Sequence, residues 1–273
     1  MLVSYNKKAQ IFVKVQLNEK ERVSLWKRIY KMREQNNKTM KKVGLILGGV
    51  LLVLAVAVGA FMAYAMDYYK ADETAHEVLE GVDVIHPADG GYYYLPSGED
   101  SKEALVFYPG AKVETIAYLP LVDQIRDRTG MDCFLIEMPL HMAIFSPNAA
   151  EKVMQEYPEV EHWYLAGHSM GGAMASQFAS QHEQELDGLI LLGAYPYKTS
   201  SVDTLTVYGS LNVSVAEKID YTENVVVLEG GNHAQFGNYG PQDGDAPATI
   251  TDEEQQEQTV DAIVEFVDAK RAA

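Results

Sequence analysis

Cys133 is the only cysteine in the sequence, so no disulfide can form within the chain. It stands in the apolar run Cys133-Phe134-Leu135-Ile136, where a small thiol is expected to be buried rather than reactive. Metal-ligand spacing is lacking too. No His/Cys/Glu cluster has the pattern of a zinc site, and Asp243-Gly244-Asp245 is too short for a calcium loop and reads as a flexible turn. No cofactor or metal is therefore expected. Positive charge is scarce beyond residue 42. Residues 1–42 hold twelve of the 22 Lys and Arg against three acids (Glu19, Glu21 and Glu34), a net +9, whereas the rest sets 36 acids against ten bases, a net −26. So acidic a body is repelled by nucleic acid and by anionic headgroups, which excludes nucleic-acid binding. Internal repeats are absent.

What the sequence does contain begins with one long apolar run. Val43–Met66 comprises 24 residues without a charge. At about 1.5 Å per helical residue this is long enough to cross a bilayer core of about 30 Å. Lys38, Lys41 and Lys42 precede it, while Asp67, Asp72 and Glu73 follow. Basic flanks stay in the cytoplasm, so residues 67–273 are expected outside, on a single-pass cell-membrane anchor. The rival is a cleaved signal peptide, with Ala63-Tyr64-Ala65 as its small-x-small site and secretion as the outcome. An apolar part near 20 residues exceeds the roughly 7–15 of a secretory core and favours the anchor. Met40-Lys41-Lys42 has the form of a start codon and basic leader, an alternative beginning of the protein. Within the basic segment 1–42, Leu25, Trp26, Ile29 and Tyr30 share a helical face bordered by Lys27, Arg28 and Lys31. That pattern fits a helix lying on the inner leaflet; a disordered leader is the alternative.

After a polar stalk, 67–81, residues 82–273 alternate short apolar runs with amphipathic ones. Strands are expected at Ala104–Tyr108, Cys133–Glu137, Trp163–Ala166, Leu189–Leu192, Leu205–Tyr208 and Val225–Leu228. Val82–Ile85 and Tyr92–Leu95 read as a hairpin around Asp89-Gly90-Gly91. Helices are expected near 115–128, 148–156, 171–182, 214–219 and 252–269. The alternation indicates an α/β fold, a mostly parallel sheet with helices on both faces, whose chemistry belongs at the carboxyl ends of the strands.

At one such exit stands Gly167-His168-Ser169-Met170-Gly171, a G-x-S-x-G motif between a strand and a helix. The spacing has a steric cause: a serine on a very sharp turn needs glycines two residues to either side so that backbone can pass. Ser169 is the candidate nucleophile. His233, in the loop after the last strand, is its candidate base, in the chain order serine then histidine. His168 occupies the motif's variable position and is expected to point away, while His141, at another strand exit, is a candidate pocket residue. Two backbone N–H groups would hold an oxyanion: Met170, directly after the serine, and Ala111, in the Pro109-Gly110-Ala111-Lys112 loop.

With these residues the outer domain resembles the α/β-hydrolase superfamily, and within it a compact group related to dienelactone hydrolases. The likeness rests on Phe107–Glu114, Met138-Pro139-Leu140, Gly167–Gly172 and Gly230–Gly237, and extends over about 104–270. It implies a serine hydrolase, a Ser–His–acid triad cleaving small ester or similar acyl bonds through an acyl-enzyme. The family's acid commonly closes a Tyr-Gly-Ser-x-Asp pattern, which here is Tyr208-Gly209-Ser210-Leu211-Asn212. Asparagine therefore occupies the acid's place, and Asp→Asn in a serine-protease triad costs about 10⁴ in kcat. Three outcomes stay open: Glu229 or Glu217 supplies the carboxylate, the enzyme runs slowly on Ser169 and His233, or the site binds without catalysis. An acyltransferase using the same serine is a further alternative. Only about twelve residues separate Leu192 from Leu205, too few for a lid domain, so an open site for small or surface-displayed esters is expected.

Overall fold

The computed structural model describes residues 19–88, 90–98 and 101–272, so expectations for residues 1–18 and for Asp89 in the hairpin turn lie outside the described residues. The chain divides after Met62 into two units. The described residues of the first lie in helix α1, Glu19–Met66, 48 residues long, which is apolar and long enough by composition to cross a membrane. Residues 19–42 of the basic segment and the apolar run form one uninterrupted helix.

The second unit is built on a seven-stranded sheet. Its strands are β1 (Tyr92–Leu95), β2 (Glu103–Tyr108), β3 (Asp132–Ile136), β4 (His162–His168), β5 (Gly188–Leu192), β6 (Thr204–Gly209) and β7 (Val225–Leu228). Their spatial order is β1-β3-β2-β4-β5-β6-β7, parallel throughout except for antiparallel β1. Helices α2 (Glu73–Gly81), α3 (Leu119–Thr129), α4 (Ala149–Glu156), α5 (Met170–Ala179), α6 (Val213–Ala216) and α7 (Asp252–Arg271) complete the unit. Strand alternation sorts side chains onto two cores. Leu105, Phe107, Tyr164 and Ala166 face Leu121, Ile125, Ile263 and Val267 of α3 and α7. Ala104, Val106, Trp163 and Leu165 face Val153 and Phe178 of α4 and α5. β5, Gly-Leu-Ile-Leu-Leu, is buried along its whole length, as a strand covered on both faces must be.

Two expectations differ from the structure. Val82–Ile85 forms no strand; Ile85 makes one antiparallel bridge to Tyr94, and β1 pairs instead with β3. The segment 67–81, expected as a stalk, is folded onto the domain. Tyr69 N–H donates to the Lys112 carbonyl at 2.8 Å, and Glu114 N–H donates to the Tyr69 carbonyl at 2.9 Å. Asp72 then caps α2, accepting the Ala75 N–H at 3.0 Å, and Val78 and Leu79 pack on the core. So short and acidic a helix, with two apolar contacts, has too little periodicity to be told from a linker. Replacing Asp72 with Ala should lower stability by about 1 kcal/mol through the lost cap. Denaturant unfolding of the full chain in detergent measures this; an unchanged midpoint would restore the stalk reading.

Candidate active site

The site forms where β4, the central strand, turns into α5. Ser169 occupies φ 53°, ψ −120°, a conformation that side-chain-bearing residues rarely adopt. The turn is held from the neighbouring strand, Ser169 N–H donating to the Leu192 carbonyl at 3.0 Å. Gly171 passes so close to β2 that a Cβ there would collide with the carbonyl oxygens of Tyr108 and Pro109. This is the steric requirement expected from the motif.

The structure brings Ser169 and His233 together. His233 Nε2 lies 2.9 Å from Ser169 Oγ. Burial holds the His233 imidazole below its ordinary pKa, partly opposed by the negative charge of Asp245. Its other nitrogen, Nδ1, lies 2.7 Å from the Asn212 amide, and Asn212 is buried. Asn212 thus stands where the sequence placed it, against the histidine. The amide nitrogen faces Nδ1, and the amide oxygen accepts from Ser214 Oγ–H at 3.0 Å. A half-turn of the amide exchanges the two ends, and the Ser214 hydroxyl, both donor and acceptor, pairs with either. With oxygen toward the ring, Nδ1 carries the proton and Nε2 is free to receive that of Ser169.

Glu229 and Glu217, the alternative acids, are exposed, and neither bonds His233. The carboxylate beside the histidine is Asp245, in the run expected as a flexible turn. Its Oδ1 accepts the His233 N–H at 3.2 Å and the Ala246 N–H at 3.0 Å, and its Oδ2 accepts the Ala234 N–H at 2.8 Å. An Asp-Gly-Asp string carries no local sign of such a role, because its partners lie eleven and twelve residues earlier in the chain.

On the oxyanion side, Gly110 N–H donates to Tyr118 Oη at 3.1 Å and Lys112 N–H to the His141 carbonyl at 2.7 Å. The Ala111 amide between them makes no hydrogen bond among the described residues, and it is left available to a ligand. Met170 opens α5, so no helical carbonyl precedes its N–H.

His168 is the main correction. Rather than pointing idly away, it is wholly buried between the loops of the site. Burial and the neighbouring His233 ring hold it well below its ordinary pKa, hence neutral. Its partners fix the tautomer. The His233 carbonyl, 2.9 Å from Nε2, can only accept, so Nε2 carries the proton. Nδ1 then accepts from Tyr118 Oη–H at 2.8 Å. One directed chain of hydrogen bonds runs from Gly110 through Tyr118 and His168 to His233. Gly110 itself is required, since a Cβ there would lie 2.6 Å from Tyr118 Oη and 2.8 Å from His168 Nδ1. His141 is stacked on Tyr68, ring centroids 3.7 Å apart, with Nδ1 buried and unbonded. Cys133 is buried in β3, where burial pushes its thiol pKa up and keeps it protonated.

Beside His233 opens a cavity of about 420 Å³ lined by Asn212, Ser214, Gln242, Asp243 and Asp245. The connection from β5 to β6, residues 193–203, holds neither helix nor strand. No lid domain stands over this side of the site.

Comparison with known proteins agrees with this architecture. A carboxylesterase of Nitrososphaera gargenis is 12% identical, with TM-score 0.50, over 70% of this chain and 99% of its own. Est1E from Butyrivibrio proteoclasticus is 13% identical with TM-score 0.49 over the same shares. The monoglyceride lipase of Saccharomyces cerevisiae is 12% identical with TM-score 0.47, over 69% of this chain and 94% of its own. At 12% identity the likeness to the Nitrososphaera gargenis carboxylesterase speaks for the fold alone. No curated protein matches the chain. Residues 104–257, more than half of the chain and the stretch that carries Ser169, Asn212 and His233, match the alpha/beta hydrolase family, and the chain belongs to that family.

Proposed function

We propose that this protein is a serine hydrolase that cleaves small ester or related acyl bonds through an acyl-enzyme on Ser169. The observation that carries the reading is the Ser169 Oγ–His233 Nε2 contact of 2.9 Å at a strained turn, with the Ala111 and Met170 amides on the oxyanion side. His233 takes the hydroxyl proton as Ser169 attacks the carbonyl. The two amides receive the oxyanion, and His233 returns the proton to the leaving alcohol. Water, activated by the same imidazole, then releases the acyl group. Asn212, its oxygen toward Nδ1, holds the ring in the required tautomer.

Exposed apolar side chains narrow the substrate. Ile144 and Phe145 follow β3, Tyr195 and Tyr197 follow β5, and Val213 follows β6. All stand at the sheet end where Ser169 lies, so an acyl chain reaching the serine passes apolar surface. The missing lid domain suits short or surface-displayed chains. The glycine-rich histidine loop and the short β5–β6 connection support kinship with the compact dienelactone-hydrolase group.

In this reading Val43–Met66 anchors the protein in the cell membrane, basic end in the cytoplasm and hydrolase domain outside. Its partners are then the bilayer and a small acyl substrate. Protease added to sealed vesicles of known orientation should reach the domain only from the non-cytoplasmic side; digestion from the cytoplasmic side reverses the topology.

One observation favours a second reading, a binding protein without turnover. While the Asn212 nitrogen faces Nδ1, the ring keeps its proton on Nε2 and cannot take that of Ser169. A fluorophosphonate probe decides between them. The full chain in detergent should label, and Ser169→Ala should not; an unlabelled, folded wild type overturns the hydrolase.

Two kinetic consequences accompany the mechanism. Because burial holds His233 below its ordinary value near 6.5, the acid limb of kcat/KM should have its midpoint below pH 6.5. Activity is lost as pH falls through that value, where the imidazole takes up a proton and ceases to be a base. Asn212→Asp should raise kcat at least about tenfold, toward the 10⁴ that separates the two residues in a serine-protease triad.

A further inference from the structure

A triad carboxylate performs two tasks: it holds the histidine tautomer, and its charge stabilises the imidazolium formed when the serine gives up its proton. Asn212 can perform only the first. The second needs a negative charge close to the ring, and the hydrogen-bond partners, the packed ring and the acids near His233 can be named. Ser169 Oγ lies on Nε2, and Asn212 lies on Nδ1. The neutral His168 ring packs against it at a centroid distance of 4.6 Å. Gln242, Asp243 and Asp245 line the cavity on its open side. Of these, Asp243 is exposed and has its backbone N–H on Tyr69 Oη. Asp245 is half-buried and bonded to the backbone of the histidine loop itself, through the N–H groups of His233 and Ala234.

Resting on the hydrolase reading above, we infer that the acid's two tasks are divided in this protein: Asn212 orients His233, and Asp245 supplies the negative charge. Asp245 is thus a positioning and electrostatic residue that acts through the base. Its carboxylate is fixed relative to the imidazole because both oxygens are engaged by the loop that carries the ring. Charge fixed in this way needs no reorganisation when the imidazolium appears. The same carboxylate opposes the burial that depresses the basicity of His233.

The division has a signature that a loop clamp alone lacks. Removing the charge makes His233 harder to protonate, so its pKa falls and the acid limb moves to lower pH. It also destabilises the imidazolium, so the plateau rate falls. In Asp245→Asn we expect the His233 pKa to fall and plateau kcat/KM to drop several-fold, by up to about tenfold for each unit of that fall. With Asn212→Asp already present, the second carboxylate supplies charge and the Asp245→Asn loss should shrink to under about threefold. Asp243→Asn should move either quantity far less.

The His233 titration is followed by NMR in the full-length chain in detergent, with labelled histidine and a Ser169→Ala background, independently of turnover. Kinetics are then run on the Ser169-containing variants. If no ester is turned over but the His233 pKa shifts as stated, the charge assignment stands and the hydrolase reading fails. If Asp245→Asn is folded and its His233 pKa is unchanged, or if its loss is the same with and without Asn212→Asp, Asp245 is only a loop clamp and the inference is overturned. Should Asp245→Asn fail to fold, because its amide meets the Ala234 N–H, Asp245→Ser keeps one acceptor without charge and carries the same test.

Discussion

The structure depends on one strained residue at the end of its central strand. Ser169 at φ 53° costs on the order of 1–3 kcal/mol, and such a conformation persists only where the surroundings over-determine it. Here they do so from three sides. β5 holds the serine N–H through the Leu192 carbonyl. The carbonyls of Tyr108, which ends β2, and of Pro109 pack against Gly171, and α5 begins at Met170. β4 lies between β2 and β5, so both supports come from its immediate ladder partners. Parallel pairing sends all three exits to the same end, which is why Ser169, the Pro109-Gly110-Ala111-Lys112 loop and the exposed apolar side chains meet there.

A second constraint follows from the first. Loops that meet at a sheet end must be held in register with one another, and a buried polar chain does so. From Gly110 through Tyr118 and His168 to the His233 carbonyl, each donor has an acceptor, and no charge is buried. An ionised group in this place would meet a desolvation cost of several kcal/mol. A neutral imidazole avoids it and still bonds at both ends. The residue beside Ser169 thereby joins the loop that carries Gly110 to the loop that carries His233.

How much of this is legible in the sequence depends on the range of each interaction. The six parallel strands are short apolar runs, and their positions follow from composition to within a residue or two. Ser169, Met170 and His233 are readable because a strand-exit turn imposes local spacing, and Asn212 because a family pattern marks its place. Interactions joining distant segments leave no such trace. Tyr118 precedes its partner His168 by fifty residues, and the Asp72 cap helps to lay α2 on the domain only once Asn238 accepts the Asp72 N–H. Asp245 reads as a turn because its acceptors serve backbone N–H groups of another loop. The role of His168 is hidden because the motif treats its position as free, whereas the surrounding core does not.

Asparagine at 212 also has an electrostatic consequence for the fold. Asp243 and Asp245 already line the cavity beside His233, within a domain of strongly negative net charge. A third carboxylate at 212 would lie buried against Nδ1, with the ring and Ser214 as its partners among the described residues. While the imidazole is neutral, which is the resting state of a base, that carboxylate would meet like charge and desolvation without a full positive partner. The amide avoids this cost in the resting protein and forgoes part of the stabilisation of the imidazolium. Charge placed at Asp245, at the more open edge of the cavity and bonded to backbone N–H groups, is less costly to keep. In the proposed hydrolase this arrangement favours resting stability over the greatest proton affinity at His233.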